Sequence, residues 1–217
     1  MQGEQSVLKT CHLGLSDYRK TWESMRQWTL DRNEATADQC WIVQHNPVFT
    51  LGLSGNKQHI LATGDIPVVQ SDRGGQVTYH GPGQLVFYPL LDIKRLGLSV
   101  SELVHLLESM VIEWFKYQEI DAQARSDAPG VYVNGAKIAS LGLRIKRGRS
   151  YHGLSLNVDM DLEPFSRINP CGYAGMPVTQ VVDLGLPHSL DKITLELQSI
   201  FARRLGYTNC LQIQDIE

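Results

Sequence analysis

The spacing of apolar positions changes from segment to segment along the chain, and the changes mark its elements. Residues 7–13 read as a short strand. From Asp17 to about Asn33, the positions of Tyr18, Trp22 and Met25 follow a helical period. Residues 40–45 and 48–51 read as two strands broken at Asn46-Pro47, a turn-forming pair. Residues 67–71 and 84–92 read as further strands. The apolar run of the second predicts burial on both of its faces.

A stronger helix follows. Ser99-x-x-Glu102 has the form of a capping box, and Leu103, Leu107, Met110 and Trp114 then make one apolar stripe. Asn134-Gly135 between two β-forming runs predicts a tight hairpin, because both turn residues need positive φ. A two-residue turn sets Val133 opposite Ala136 and Tyr132 opposite Lys137. Residues 154–158 read as a strand, and 191–205 as a closing helix ended by Gly206. Strands and helices mix without strict alternation. The expected fold is α/β of the α+β kind, a mixed or antiparallel sheet flanked by helices.

Composition narrows the classes of function. The 217 residues suit a single domain spanning 1–217. With 20 Lys+Arg against 23 Asp+Glu the net charge is −3, which argues against a nucleic-acid partner. No apolar run is long enough to span a membrane, and the polar start of the chain lacks an export signal, so a cytoplasmic protein is expected. The four cysteines, Cys11, Cys40, Cys171 and Cys210, form no C-x-x-C pair, which argues against structural zinc and a disulfide framework.

Most chemical motifs are absent. Gly130-x4-Gly135-Ala136-Lys137 has one residue too many for a phosphate loop and lies on a hairpin. What stands out is Arg73-Gly74-Gly75-Gln76-Val77-Thr78-Tyr79-His80-Gly81-Pro82-Gly83-Gln84. Its glycines suit a loop whose backbone approaches a ligand closely, as much as a plain turn. Cys171 lies between Pro170 and Gly172, where a thiol is expected to be accessible, whereas Cys11 and Cys40 sit in strand-like runs. A thiol is only a few per cent thiolate near pH 7 and needs help. His80 and His152 are candidate helpers. So is Lys137, whose neighbours Ala136, Ile138, Ala139 and Leu141 suggest partial desolvation, although a snorkelling lysine on a hairpin edge fits equally well. Arg144-Ile145-Lys146-Arg147-Gly148-Arg149 reads as a solvated turn or as a docking patch for an acidic partner.

Taken in order, residues 73–91, 135–144, 152–157 and 169–172 resemble the octanoyl-[acyl-carrier-protein]:protein N-octanoyltransferases, also called lipoyl(octanoyl) transferases. The resemblance covers about half of the chain. It implies a fold like the catalytic domain of biotin- and lipoate-protein ligases. It also implies transfer of octanoyl from acyl-carrier protein to a lysine on a lipoyl domain, as in 2-oxoacid dehydrogenase complexes and the glycine cleavage H protein. By that resemblance Cys171 becomes an acyl-thioester and Lys137 assists it. Arg73, Gly74, Gly75, Gln76, Val77, Thr78, Tyr79 and His80 would contact substrate, as would Ser140, Leu141 and Gly142 and then Gly153, Leu154 and Ser155. No metal or other cofactor is expected. An ATP-dependent ligase, a silent lipoylation partner and a cysteine hydrolase are the rival readings.

Overall fold

The computed structural model describes residues 7–186 and 189–214, with backbone only at Cys171. Its elements in chain order are β1 (Val7–Ser16), α1 (Tyr18–Asp31), β2 (Gln39–His45), β3 (Val48–Leu51), β4 (Val68–Gln70), β5 (Val77–His80), β6 (Gln84–Leu90), α2 (Val100–Tyr117), β7 (Ala122–Ala124), β8 (Gly130–Val133), β9 (Ala136–Lys146), β10 (Arg149–Asn157), α3 (Leu190–Arg204) and β11 (Asn209–Ile213). Eight strands make one sheet in the order β11-β1-β2-β6-β10-β9-β8-β7. β1 runs parallel to β11 and β2, and the other pairs are antiparallel. A small sheet, β4-β3-β5, lies apart. The sheet is mixed and flanked by helices, as expected.

β6 occupies the middle because both of its faces are apolar. Leu85 and Phe87 join the core under α2 and α3, where Phe87 meets Phe201 edge-on with ring centroids 5.0 Å apart. Val86, Tyr88 and Leu90 point the other way, into a cluster with Met25 and Trp28 of α1. Both boxed hydrogen bonds of α2 are present: Glu102 N–H donates to Ser99 Oγ at 3.2 Å, and Ser99 N–H donates to Glu102 Oε2 at 2.7 Å. The hairpin also forms, with Asn134 and Gly135 at φ 50° and 80° and Tyr132 paired to Lys137. A buried hub ties the chain ends of several elements. Asp38 accepts from Arg32 and Arg95 at 2.7 Å each, from Tyr207 Oη at 2.6 Å and from Asp92 N–H at 2.8 Å.

The structure departs from the sequence reading in four places. The glycine-rich stretch is not loop throughout, since Val77–His80 pairs with β3 as strand β5. The strand read at 154–158 is the inner half of β10, which begins at Arg149. The basic run is not one solvated turn. Arg144 and Lys146 sit on β9, and Arg149 pairs with Asp92 at 3.6 Å and donates to Arg32 O, leaving Lys146 and Arg147 exposed. Cys210 lies on β11, beside Leu8 in a parallel pair the sequence did not announce. Among the described residues, no helix is long and apolar enough to cross a membrane.

Candidate active site

The site begins with a missing donor. β10 pairs with β6 from Asn157↔Gln84 to Leu154↔Phe87, and the ladder then lapses over residues 151–153. Pro89 has no N–H to give there. Ser150 bridges the gap, donating from Oγ to Pro89 O at 2.6 Å and accepting from Leu91 N–H at 3.1 Å. Within the opening His152 takes φ 58°, a left-handed conformation rare for a side-chain-bearing residue. Gly153 follows because a Cβ there would lie 2.1 Å from Phe87 O. Opposite it on β9 stands Gly142, where a Cβ would lie 2.9 Å from Gly74 O. The two glycines leave bare backbone over which the loop at 73–76 can lie.

That loop is stapled by its own arginine. Arg73 is buried and donates from Nε to Thr50 Oγ1 at 3.0 Å, from Nη1 to Gly74 O at 2.8 Å, and from Nη2 to Thr50 O and Gln76 O at 2.6 Å each. Gly74 N–H donates to Leu143 O at 2.9 Å, tying the loop to β9. Just before it, Asp72 accepts from Trp22 Nε1 at 2.8 Å, from His152 Nε2 at 3.0 Å and from the Tyr151 hydroxyl. Burial opposes the Asp72 charge, but these hydrogen bonds outweigh it and hold the carboxyl well below the usual range.

Three histidines cluster at the cleft, His80 and His152 in its lining and His45 edge-on against His80, and hydrogen bonding fixes their tautomers. His45 Nδ1 lies 3.1 Å from Ser16 O, which can only accept, so Nδ1 carries the proton and Nε2 accepts a hydrogen bond from the Tyr88 hydroxyl at 2.7 Å. Gln84 Nε2 donates to Tyr79 O and Asn157 Oδ1, which turns Gln84 Oε1 toward His80 Nδ1–H at 2.6 Å. His152 gives Nε2–H to Asp72, leaving a buried lone pair on Nδ1. Burial lowers the pKa of all three; that of His45 falls to about 4.

Lys137 is 2% exposed, which removes the snorkelling alternative. Its Nζ donates to Pro129 O at 3.0 Å and stands 5.3 Å from the centre of the Tyr132 ring. Its backbone pairs with the segment after the cysteine turn, through Lys137 N–H to Pro177 O at 2.8 Å and Thr179 N–H to Lys137 O at 3.0 Å. Cys171 falls in a 3-10 turn, Pro170–Gly172, and its side chain lies outside the described atoms. The turn itself backs onto the glycine loop, because a Cβ on Gly172 would come 3.4 Å from His59 Nε2 and 3.7 Å from Gln76 Cγ.

The glycine loop, β9 and β10 border a narrow cleft with room for about 50 Å³. Arg73, Gly75, Gln76, Val77, Thr78 and His80 line it, together with Ser140, Leu141, Gly142, Gly153, Leu154 and Ser155. Gly74 and Tyr79 do not. Gly74 bonds to β9, and Tyr79 packs against Phe49 and Phe165 in a separate cluster. Tyr18, Tyr88 and His152 also line the cleft, and Asp72 braces His152 from behind. The sequence carried one weak signal for Asp72, its place beside Arg73-Gly74-Gly75, and none for the two tyrosines. Among the described residues no cluster of His, Cys, Asp or Glu could hold a metal ion.

A mixed sheet carrying a glycine loop, a buried hairpin lysine and a Pro-Cys-Gly turn defines a recognisable class. The sequence pattern of the lipoyl protein ligase A/B catalytic domain runs through residues 17–202, and the chain belongs to that family. Within it, the octanoyltransferase of Shewanella piezotolerans (strain WP3 / JCM 13877) is 51% identical over 98% of this chain and 96% of its own. That of Alkalilimnicola ehrlichii is 58% identical over 86% of each. Among solved structures, a lipoate-protein ligase A bound with ATP superposes with a TM-score of 0.76 at 15% identity, covering 95% of this chain and 87% of that one. The biotin protein ligase of Aquifex aeolicus, in complex with biotin and ATP, reaches 0.54 at 12% identity over 93% and 71%. Fold is what these two share with the chain.

Proposed function

We propose that this chain moves an octanoyl group from octanoyl-acyl-carrier protein to the lysine amine of a lipoyl domain, in the cytoplasm, through a thioester on Cys171. Octanoyl transfer in lipoate biosynthesis is the activity of its kind, given octanoyltransferases at 51% and 58% identity over most of the chain. One observation carries the assignment of residues. Lys137, withdrawn from water, holds its ammonium in a fixed cradle on the strand that also supplies Ser140, Leu141 and Gly142 to the cleft.

In the first half-reaction the Cys171 thiolate attacks the donor thioester. The bond from the acyl carbon to the carrier sulfur breaks, and the departing thiolate takes a proton from the Lys137 ammonium. In the second, the acceptor amine attacks the acyl-enzyme, its proton passes to Lys137, and the Cys171 thiolate leaves. The sum is an amide, a free carrier thiol and one proton released to solvent, since the acceptor starts as an ammonium and Lys137 takes only one of the two protons it loses. An acceptor lysine costs about 4.6 kcal/mol to deprotonate at pH 7, so a base must stand near it. Lys137 supports that role better than His80, whose Nδ1–H is committed to Gln84 and whose burial keeps it neutral.

Mixing the protein with octanoyl-carrier protein and no ATP, then weighing the intact chain, tests the reading. A hydroxylamine-sensitive octanoyl adduct is expected on the native chain and not on Cys171→Ser. An unchanged thioester on that variant would overturn it, and strict dependence on ATP would favour a ligase.

A further inference from the structure

The peptide joining Pro129 to Gly130 is gripped at both edges. Its carbonyl accepts from Lys137 Nζ at 3.0 Å, and its N–H donates to Glu108 Oε1 at 2.9 Å. In a trans peptide these groups point in opposite directions, so lysine and carboxylate hold one rigid plate from either side. Glu108 comes from the core side of α2, where it is 3% exposed beside the buried Leu107 and Val111. Packing alone would favour an apolar residue there, since a buried carboxylate is costly unless its hydrogen bonds are made. Its other oxygen lies 3.4 Å from the Nδ1 of His105, an exposed ring three residues earlier. The plate also touches the stem of the lysine. Gly130 has φ 147°, and a Cβ on it would stand 2.5 Å from Lys137 Cε.

We infer that Glu108 is a positioning residue for Lys137: by fixing the Gly130 N–H it fixes the Pro129 carbonyl, and through it the place of the Lys137 ammonium. A charge-assisted bond at one edge of an amide also polarises the carbonyl at the other, making it a better acceptor for a cation. Glu108 never reaches the cleft in this arrangement. It acts across α2 and β8 on Lys137, whose strand supplies Ser140, Leu141 and Gly142 to the cleft. The inference rests on the proposed role of Lys137.

A double-mutant cycle separates the two claims. Acyl-enzyme formation from octanoyl-carrier protein is timed by intact mass for E108A, E108Q, K137A and E108A/K137A, with thermal melts confirming the fold of each. E108A is expected to slow acylation about a hundredfold, the order that misplacing a reacting group costs. E108Q keeps an oxygen for the Gly130 N–H and should stay within about fivefold of the native rate. In the K137A background the loss of Glu108 should cost nothing further. Equal losses in both backgrounds would show a merely structural carboxylate and overturn the inference. If K137A is slow but E108A is not, Glu108 alone falls. If K137A acylates normally, the role of Lys137 falls first and takes Glu108 with it. Should E108A fail to fold, E108M fills the same volume without an acceptor and is read in its place.

Discussion

Asp72 accepts a hydrogen bond from His152 at 3.0 Å, although 80 positions separate them in the chain. That bond, with those from Trp22 and Tyr151, joins α1, the glycine loop and β10 at one carboxylate.

Asp72→Asn sets an amide N–H against donors that expect an oxygen. We expect a loss of about 2 kcal/mol in stability, the scale of a hydrogen bond to a charged group. Urea unfolding of the variant against the native chain measures it. Octanoyl transfer should fall with it, because His152 and the loop lose their common anchor.

The buried histidines set the acid limit. Their folded pKa values lie below the ordinary 6.5, that of His45 at about 4, so the unfolded chain binds more protons in between. Their contribution is therefore complete above pH 6.5 and lost as pH falls toward 4. His45 alone should cost about 2 kcal/mol at about pH 5, with His80 and His152 adding to it. The Asp72 and Asp38 carboxyls, lowered in the fold, act only nearer the ordinary aspartate value of 3.8 and cannot offset this. Denaturant midpoints that match at pH 5 and pH 7.5 would refute the account.

Gly153→Ala puts a methyl 2.1 Å from Phe87 O, in the middle of the sheet. Backbone there cannot yield, and we expect a loss of about 3 kcal/mol. Gly142→Ala meets Gly74 O at 2.9 Å, an atom of a loop that can shift. Stability should fall less in that variant while acylation falls more, which thermal melts and adduct formation together decide.

Asp38→Ala leaves Arg32 buried beside an empty acceptor site and frees Tyr207. Breaking one partner out of a buried ion pair costs about 4 kcal/mol. This variant should melt early with its remaining folded fraction still able to form the acyl adduct, since Asp38 is not among the residues lining the cleft.

What the sequence disclosed was local. The capping box at Ser99 and Glu102 and the turn at Asn134-Gly135 act over three or four residues, and both stand in the structure as read. β6 showed itself because burial on both faces leaves a continuous apolar run. The pairing of β1 with β11 did not, because it joins Val7 to Asn209 and neither strand has a composition that names the other. β5 was hidden by the glycines around it, since strand formation at Val77–His80 depends on β3 offering an edge. The site shows the same division. Motifs marked Lys137, Cys171 and the loop. Tyr18, Tyr88 and Glu108 became visible only when distant segments met, and Asp72 showed beforehand only as a neighbour of the glycine loop.

Pro89 gives the site a further property. The gap it leaves in the β6–β10 ladder is written into covalent structure, so neither donor nor acceptor has to open the sheet on arrival. His152 is already turned and Gly153 already bare before any ligand enters. The entropy of arranging that surface is lost once, when the chain folds, and not again at each turnover, which leaves more of the binding energy of the acyl chain for aligning the carbonyl with its nucleophile.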